Sequence, residues 1–134
     1  MVALRRVPPD DVQFQVMLGS LLGDGRLIGL PRRRRLRIAH RADRSGYVRW
    51  KYERLGAFAA APPRAEADVV AFETVIHPLF DDLAALLHAG PSRIDAIAPL
   101  LRPLGLAVWL ADVGRLDLRA DSFLPAQQEL ALAS

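Results

Sequence analysis

Met17-Leu18-Gly19-Ser20-Leu21-Leu22-Gly23-Asp24-Gly25 and Leu106-Ala107-Val108-Trp109-Leu110-Ala111-Asp112-Val113-Gly114 decide how this chain is read. Each is an apolar stretch that stops at glycine and carries an aspartate among its last three residues. Upstream of the first, Asp10 or Asp11 can cap a helix. Val12, Val16, Leu18, Leu21 and Leu22 supply its apolar positions, and the helix is expected to reach about Gly23 and stop at Gly25. Gly19, Ser20 and Gly23 are weak helix formers, tolerated where a second helix must come close. Pro103 suits the first turn of the second helix, expected over 103–112 and ended by Gly114.

Each helix runs into an alternating, charged segment. After the first come Arg26 to Leu30, a turn at Pro31, and Arg32 to Arg41, where Arg33, Arg35, Arg37 and Arg41 alternate with Leu36 and Ile38. Period-two alternation predicts a hairpin with one buried and one cationic face. Four arginines along one side of a strand repel one another, which favours an anionic partner over a merely solvated face. After the second helix, Arg115 to Asp121 alternates in the same manner, and Ser122 to Ser134 reads as the start of another helix. Between these units lie an amphipathic helix over 44–58 with Tyr47 and Trp50 as core aromatics, and a Pro/Ala-rich connector from Ala59 to Ala67. A strand over Val69 to Ile76, a helix from Pro78 to about His88 and a short helix over 92–101 follow. The chain is therefore a mixed α/β protein with a hint of internal duplication.

Composition narrows the function. At 134 residues, 51% hydrophobic and 25% charged, the chain suits one folded domain, or two small halves sharing a core. No apolar run reaches the roughly 18 residues of a membrane helix, and the first residues do not read as a signal peptide. A cytoplasmic, nucleoid-associated protein is the expectation. The absence of cysteine excludes disulfides and thiolate-held zinc. The net charge of +3 conceals an asymmetry: residues 1–64 hold 14 Arg and Lys against 5 Asp and Glu, whereas residues 65–134 hold 4 against 10. Seventeen of the cations are arginine and one is Lys51. The planar guanidinium suits phosphate and guanine edges.

With these residues in view, both nine-residue stretches resemble the LAGLIDADG motif of the homing endonucleases. The resemblance extends to Leu36-Arg37-Ile38-Ala39-His40, Tyr47-Val48-Arg49-Trp50-Lys51-Tyr52, His77-Pro78-Leu79-Phe80 and Asp121-Ser122-Phe123, and spans roughly residues 12–128. It implies an α/β (α+β) fold with two motif helices packed at the centre through Gly19, Gly23, Ala107 and Ala111, and antiparallel sheets facing DNA. The halves would be 1–102, including the connector, and 103–134, a second half that reads as incomplete because the family continues with further strands and a helix. The implied activity is Mg²⁺-dependent hydrolysis of phosphodiester bonds in double-stranded DNA, of the kind that drives intron or intein mobility. The acidic residue before each terminal glycine would hold the ion. Here that residue is Asp24 in the first motif, whereas the second has Val113, with Asp112 one position early and about 100° around the helix. Asp24 and Asp112 are thus the candidate metal ligands, and His40 the candidate for organising water. Arg26, Arg33, Arg35, Arg37, Arg41, Arg115 and Arg119 are the candidate DNA contacts.

Three readings stay open on the residues alone. One is an endonuclease that cuts or only nicks, acting as a monomer or by self-association that brings two Asp24 together. Another is a catalytically inactive DNA-binding remnant of the same fold. A third is an unrelated basic α/β protein, for which residues 17–25 and 106–114 need not pack together.

Overall fold

A computed structural model of the chain describes residues 7–114. The segment from Arg115 to Ser134, with the expected strand over 115–121, the candidate contacts Arg115 and Arg119, and Asp121-Ser122-Phe123, lies outside the described residues.

Helix α1 (Asp11–Leu22) begins where the sequence places it. Asp10 caps it: the Asp10 carboxylate accepts from the Gln13 N–H at 2.8 Å, and the Gln13 side chain accepts from the Asp10 N–H at 2.9 Å. Val16, Met17, Leu18 and Leu21 are buried on α1, as are Gln15 and Ser20, so the helix is enclosed on nearly every side. Such a helix belongs at the centre of a fold rather than on its surface. Its end is closed by the Gly23 and Gly25 amides, which donate to the Gly19 and Ser20 carbonyls.

Strands β1 (Arg26–Ile28), β2 (Arg35–Arg41), β3 (Arg64–Glu66) and β4 (Val69–Glu73) form one antiparallel sheet in the order β1-β2-β4-β3. The expected hairpin is present, beginning at Arg26 and finishing at Arg41, but both strands are shorter on the turn side. Leu30 to Arg34 make the turn, with Arg32 at φ 71°, so Arg33 sits in the turn rather than on the strand. The expected connector over 59–67 contains β3; its register pairs Arg64 with Ala71 and Glu66 with Val69. A three-residue edge strand in a Pro- and Ala-rich run has too little alternation to announce itself, and the neighbouring β4 supplies the order.

Alternation along β2 puts Leu36, Ile38 and His40 inside with Phe72 of β4, against α2 (Ser45–Leu55). That helix buries Tyr47, Val48, Trp50, Lys51 and Leu55. Short 3₁₀ turns at Ala42–Arg44 and Gly56–Phe58 flank it, where one longer helix was expected. Helix α3 (Pro78–Ala89) starts on Pro78, with the His77 ring accepting from the Leu79 N–H at 3.0 Å. Then come α4 (Arg93–Ile97) and α5 (Pro103–Asp112), the second motif helix.

Helices α1 and α5 lie side by side along the middle of the molecule. They can do so because their contact points lack side chains: a Cβ on Gly19 would strike the Gly105 carbonyl and Val108, and one on Gly23 would strike Asp112. Ala107 and Ala111 are buried on α5, but the α5 residues that meet the glycines of α1 are Gly105, Val108 and Asp112. Gln15 ties the entry of α5 to α1, accepting from the Arg102 N–H at 2.7 Å and donating to the Leu100 carbonyl at 3.1 Å. The third reading, in which the two stretches need not meet, loses its ground here. Among the described residues no helix is long and apolar enough to cross a membrane.

Candidate active site

The seam between α1 and α5 ends in a cluster of polar side chains. Asp24 stands just past α1, its side chain 55% exposed, and Asp112 ends α5 with its side chain 0% exposed. Asp112, one position early on its helix, was named from the sequence as a candidate metal ligand beside Asp24. Instead it faces inward. Its Oδ1 accepts from Lys51 Nζ at 2.8 Å and Tyr47 Oη at 2.6 Å, and its Oδ2 accepts from the Asp24 N–H at 2.9 Å. The Lys51 side chain is also 0% exposed. Burial pushes the Lys51 ammonium below its ordinary range, with Asp112 opposing, and pushes the Tyr47 hydroxyl far up. Arg44 completes the cluster: it donates to the Ala111 carbonyl at 2.8 Å and lies 4.6 Å over the Tyr47 ring.

His40, on the inner face of β2, stands between the two carboxylates. Its Nδ1 is 3.5 Å from Asp24 Oδ2 and its Nε2 is 3.7 Å from Asp112 Oδ1. Burial, reinforced by the Lys51 charge, lowers its pKa to about 3, so the imidazole is neutral at physiological pH. Nε2 is buried and has no hydrogen-bond partner among the described residues. The two ring nitrogens point opposite ways, so His40, Asp24 and Asp112 do not converge on one ion. No group of three metal-ligating side chains is found among the described residues. Asp24 is the carboxylate still open to solvent. Its pKa is raised, by partial burial first and the Asp112 charge second, against Lys51, Arg44 and Arg26.

The acidic position of the second motif is filled by Val113, 51% exposed just beyond α5. Mg²⁺ is ordinarily held by one or two carboxylates together with substrate phosphates and water. Asp24 can supply one such carboxylate, and Val113 cannot supply a second.

On the outer face of the sheet, Arg26 stands opposite Arg37 in register, with Arg35 and Arg41 on the same side. The repulsion read from the sequence is largely offset by two carboxylates from the neighbouring strands. Arg35 pairs with Glu73 at 2.7 Å, and Arg37 pairs with Glu66 at 2.7 Å and Glu73 at 3.6 Å. The cationic face is a fixed lattice rather than a row of free charges, and its repulsion by itself does not argue for an anionic partner. Beside it a cleft of about 400 Å³ opens at Asp24, lined also by Arg26, Arg37 and Arg93.

Lys51, Tyr47, Arg44 and Arg93 were not singled out as site residues from the sequence. One signal for Lys51 was there: it is the sole lysine beside seventeen arginines, set within an aromatic helical stripe.

The profile of the LAGLIDADG DNA endonuclease family matches residues 14–131. The chain belongs to that family. Curated relatives are proteins named RecA: one from Mycolicibacterium flavescens is 33% identical over 118 residues, and one from Mycolicibacterium chitae 34% over 120. Each match covers 82% of this chain and 27% of the relative, so the chain spans about a quarter of those proteins. Among solved structures, the homing endonuclease I-WcaI bound to its DNA recognition sequence superposes with a TM-score of 0.62 at 17% identity. That match covers 79% of this chain and 52% of the other, and establishes the shared fold.

Proposed function

We propose that this chain binds double-stranded DNA on the arginine face of its sheet and hydrolyses a phosphodiester bond held over Asp24, nicking one strand. The observation that carries this reading is the inequality of the two aspartates: Asp24 is exposed in an arginine-lined cleft, while Asp112 has both oxygens engaged in the core. Asp24, with phosphate oxygens and water, would hold Mg²⁺, which supplies charge neutralisation and an activated water. Arg26 and Arg37 bind the phosphates flanking the cut. His40, neutral and fixed under Asp24, orients that carboxylate. Asp112 acts as a positioning residue by fixing the Asp24 backbone. The DNA-bound state of I-WcaI supports the partner assignment. The match to a quarter of proteins named RecA fits a nuclease segment carried in frame within a longer gene, as intein mobility requires.

Incubating the chain with a randomised supercoiled duplex library and Mg²⁺, beside Asp24→Asn, tests this. Nicked circles from the parent and none from the variant are expected; equal nicking by both refutes it. Val113 favours one second reading, a DNA-binding form without cleavage. It predicts duplex binding that weakens steeply with salt and no Mg²⁺-dependent nick.

A further inference from the structure

Arg93 opens α4 and belongs to no role assigned so far. It lines the cleft at Asp24, and it also lines a second cleft of about 600 Å³ that Arg26, Arg34 and His88 share. Gly25, Arg26 and Arg93 are therefore common to both, so the two clefts adjoin at these residues. The Arg93 guanidinium donates to the Leu21 carbonyl at 3.0 Å, which anchors it at the end of α1. Carbonyls at a helix C-terminus hold a cation favourably, so the charge stays at this spot. A guanidinium carries five N–H donors in a planar fork, and the bond to Leu21 uses one. Among the described residues neither Arg26 nor Arg93 is ion-paired with a carboxylate, in contrast to Arg35 and Arg37 on the sheet. No carboxylate lines the larger cleft, and of its arginines Arg34 alone is ion-paired among the described residues, with Asp81 at 3.6 Å. Cations that the fold leaves unneutralised on both sides of one passage suit a ligand with anionic groups in series.

We infer that Arg93 and Arg26 form a second phosphate site, next to the one Asp24 addresses, on a strand that continues through the larger cleft toward Arg34 and His88. The inference rests on the DNA-endonuclease reading and adds a phosphate contact just past the β1 edge of the sheet's outer face. A positioned neighbouring phosphate fixes the register of the reacting one without requiring base contacts.

The test uses the full chain with ¹⁵N-labelled arginine and two probes. With inorganic pyrophosphate at low ionic strength, the Nε–H resonances of Arg93 and Arg26 are expected to shift. Arg93→Ala should weaken pyrophosphate roughly tenfold, as expected for losing a charge-assisted hydrogen bond. Arg93→Lys should recover part of the loss, and Arg49→Ala, on the exposed side of α2, should change nothing. With a duplex, Arg93→Ala should reduce the slope of log K against log salt by about 0.9, the share of one phosphate contact. Pyrophosphate that moves neither guanidinium overturns the inference, as does a duplex slope unchanged by Arg93→Ala. Pyrophosphate binding as described, with no duplex bound by the parent chain, leaves the phosphate site standing and removes the DNA reading.

Discussion

Replacing Lys51 with methionine should destabilise this protein severely while leaving its surface unaltered. Lys51 and Asp112 each have 0% side-chain exposure and meet at 2.8 Å. Without the ammonium, the Asp112 carboxylate is left with the Tyr47 hydroxyl and the Asp24 N–H. Removing one partner of a buried ion pair typically costs about 3–5 kcal/mol. Against a total stability of about 5–15 kcal/mol for a natural domain, that is a large share. The companion variant Lys51→Met with Asp112→Asn distinguishes the pair from general core damage. Asparagine keeps the shape that Gly23 accommodates and retains an oxygen acceptor. The Tyr47 hydroxyl also lies 3.2 Å from the Val108 carbonyl, which can accept its hydrogen bond. The double variant should therefore be more stable than the sum of the single effects by at least about 2 kcal/mol, within the range of direct coupling. Urea unfolding followed by the fluorescence of Trp50 and Trp109 measures both variants, with a constant m-value required for comparison. A Lys51→Met variant within about 1 kcal/mol of the parent, or a strictly additive double variant, would refute the argument.

Acid should act through His40. Its folded pKa of about 3 lies below its ordinary value of 6.5, so between those values the unfolded chain binds the extra proton. The stability this group contributes is fully present above about pH 6.5 and is lost as pH falls toward 3. His40→Gln should flatten the dependence of unfolding free energy on pH in that window by up to about 1.4 kcal/mol per pH unit; identical slopes would count against a buried neutral imidazole. Gly19→Ala sets helix propensity, a gain of about 1 kcal/mol, against a clash with the Gly105 carbonyl and Val108. Overpacking of about 1–3 kcal/mol should win, and a Tm at or above the parent's would show that the helices have room to spare. Val113→Asp puts a carboxylate at the second motif's terminus, and Mg²⁺-dependent linearisation of plasmid should appear in place of the nicking proposed for the parent. No change in product would mean the valine is not what limits cleavage.

The central helices were legible because their signals are local. An aspartate at 10 or 11, Pro103 and Pro78 mark starts, and the glycines mark both ends and the contact face; the choice of Asp10, with Gln13 closing the cap, came from the structure. The β2 alternation of arginine with Leu36 and Ile38 was legible for the same reason, since period two survives without tertiary information. Strand β3 was not, because Arg64 to Glu66 are ordered by β4 rather than by their own pattern. The site divides along the same line. Asp24 could be named from a nine-residue motif, but the fate of Asp112 could not. The rotation of α5 about its axis decides between solvent and Lys51, and it is set by packing against Gly23, far away in the chain. The neutralisation of Arg35 and Arg37 by Glu73 and Glu66 likewise depends on a strand register that composition cannot supply.

The unlike pairing of Gly23 with Asp112 gives the central helix pair a polarity that the repeated motif conceals. A second copy of α1 put in place of α5 would bring a glycine to the point where Asp112 answers Lys51, sealing an ammonium in the core with no counter-ion. The two motif copies are therefore no longer interchangeable, and any association between chains has to recruit a face other than this one. Grafting experiments that exchange halves among relatives would have to carry Lys51 and its aspartate together.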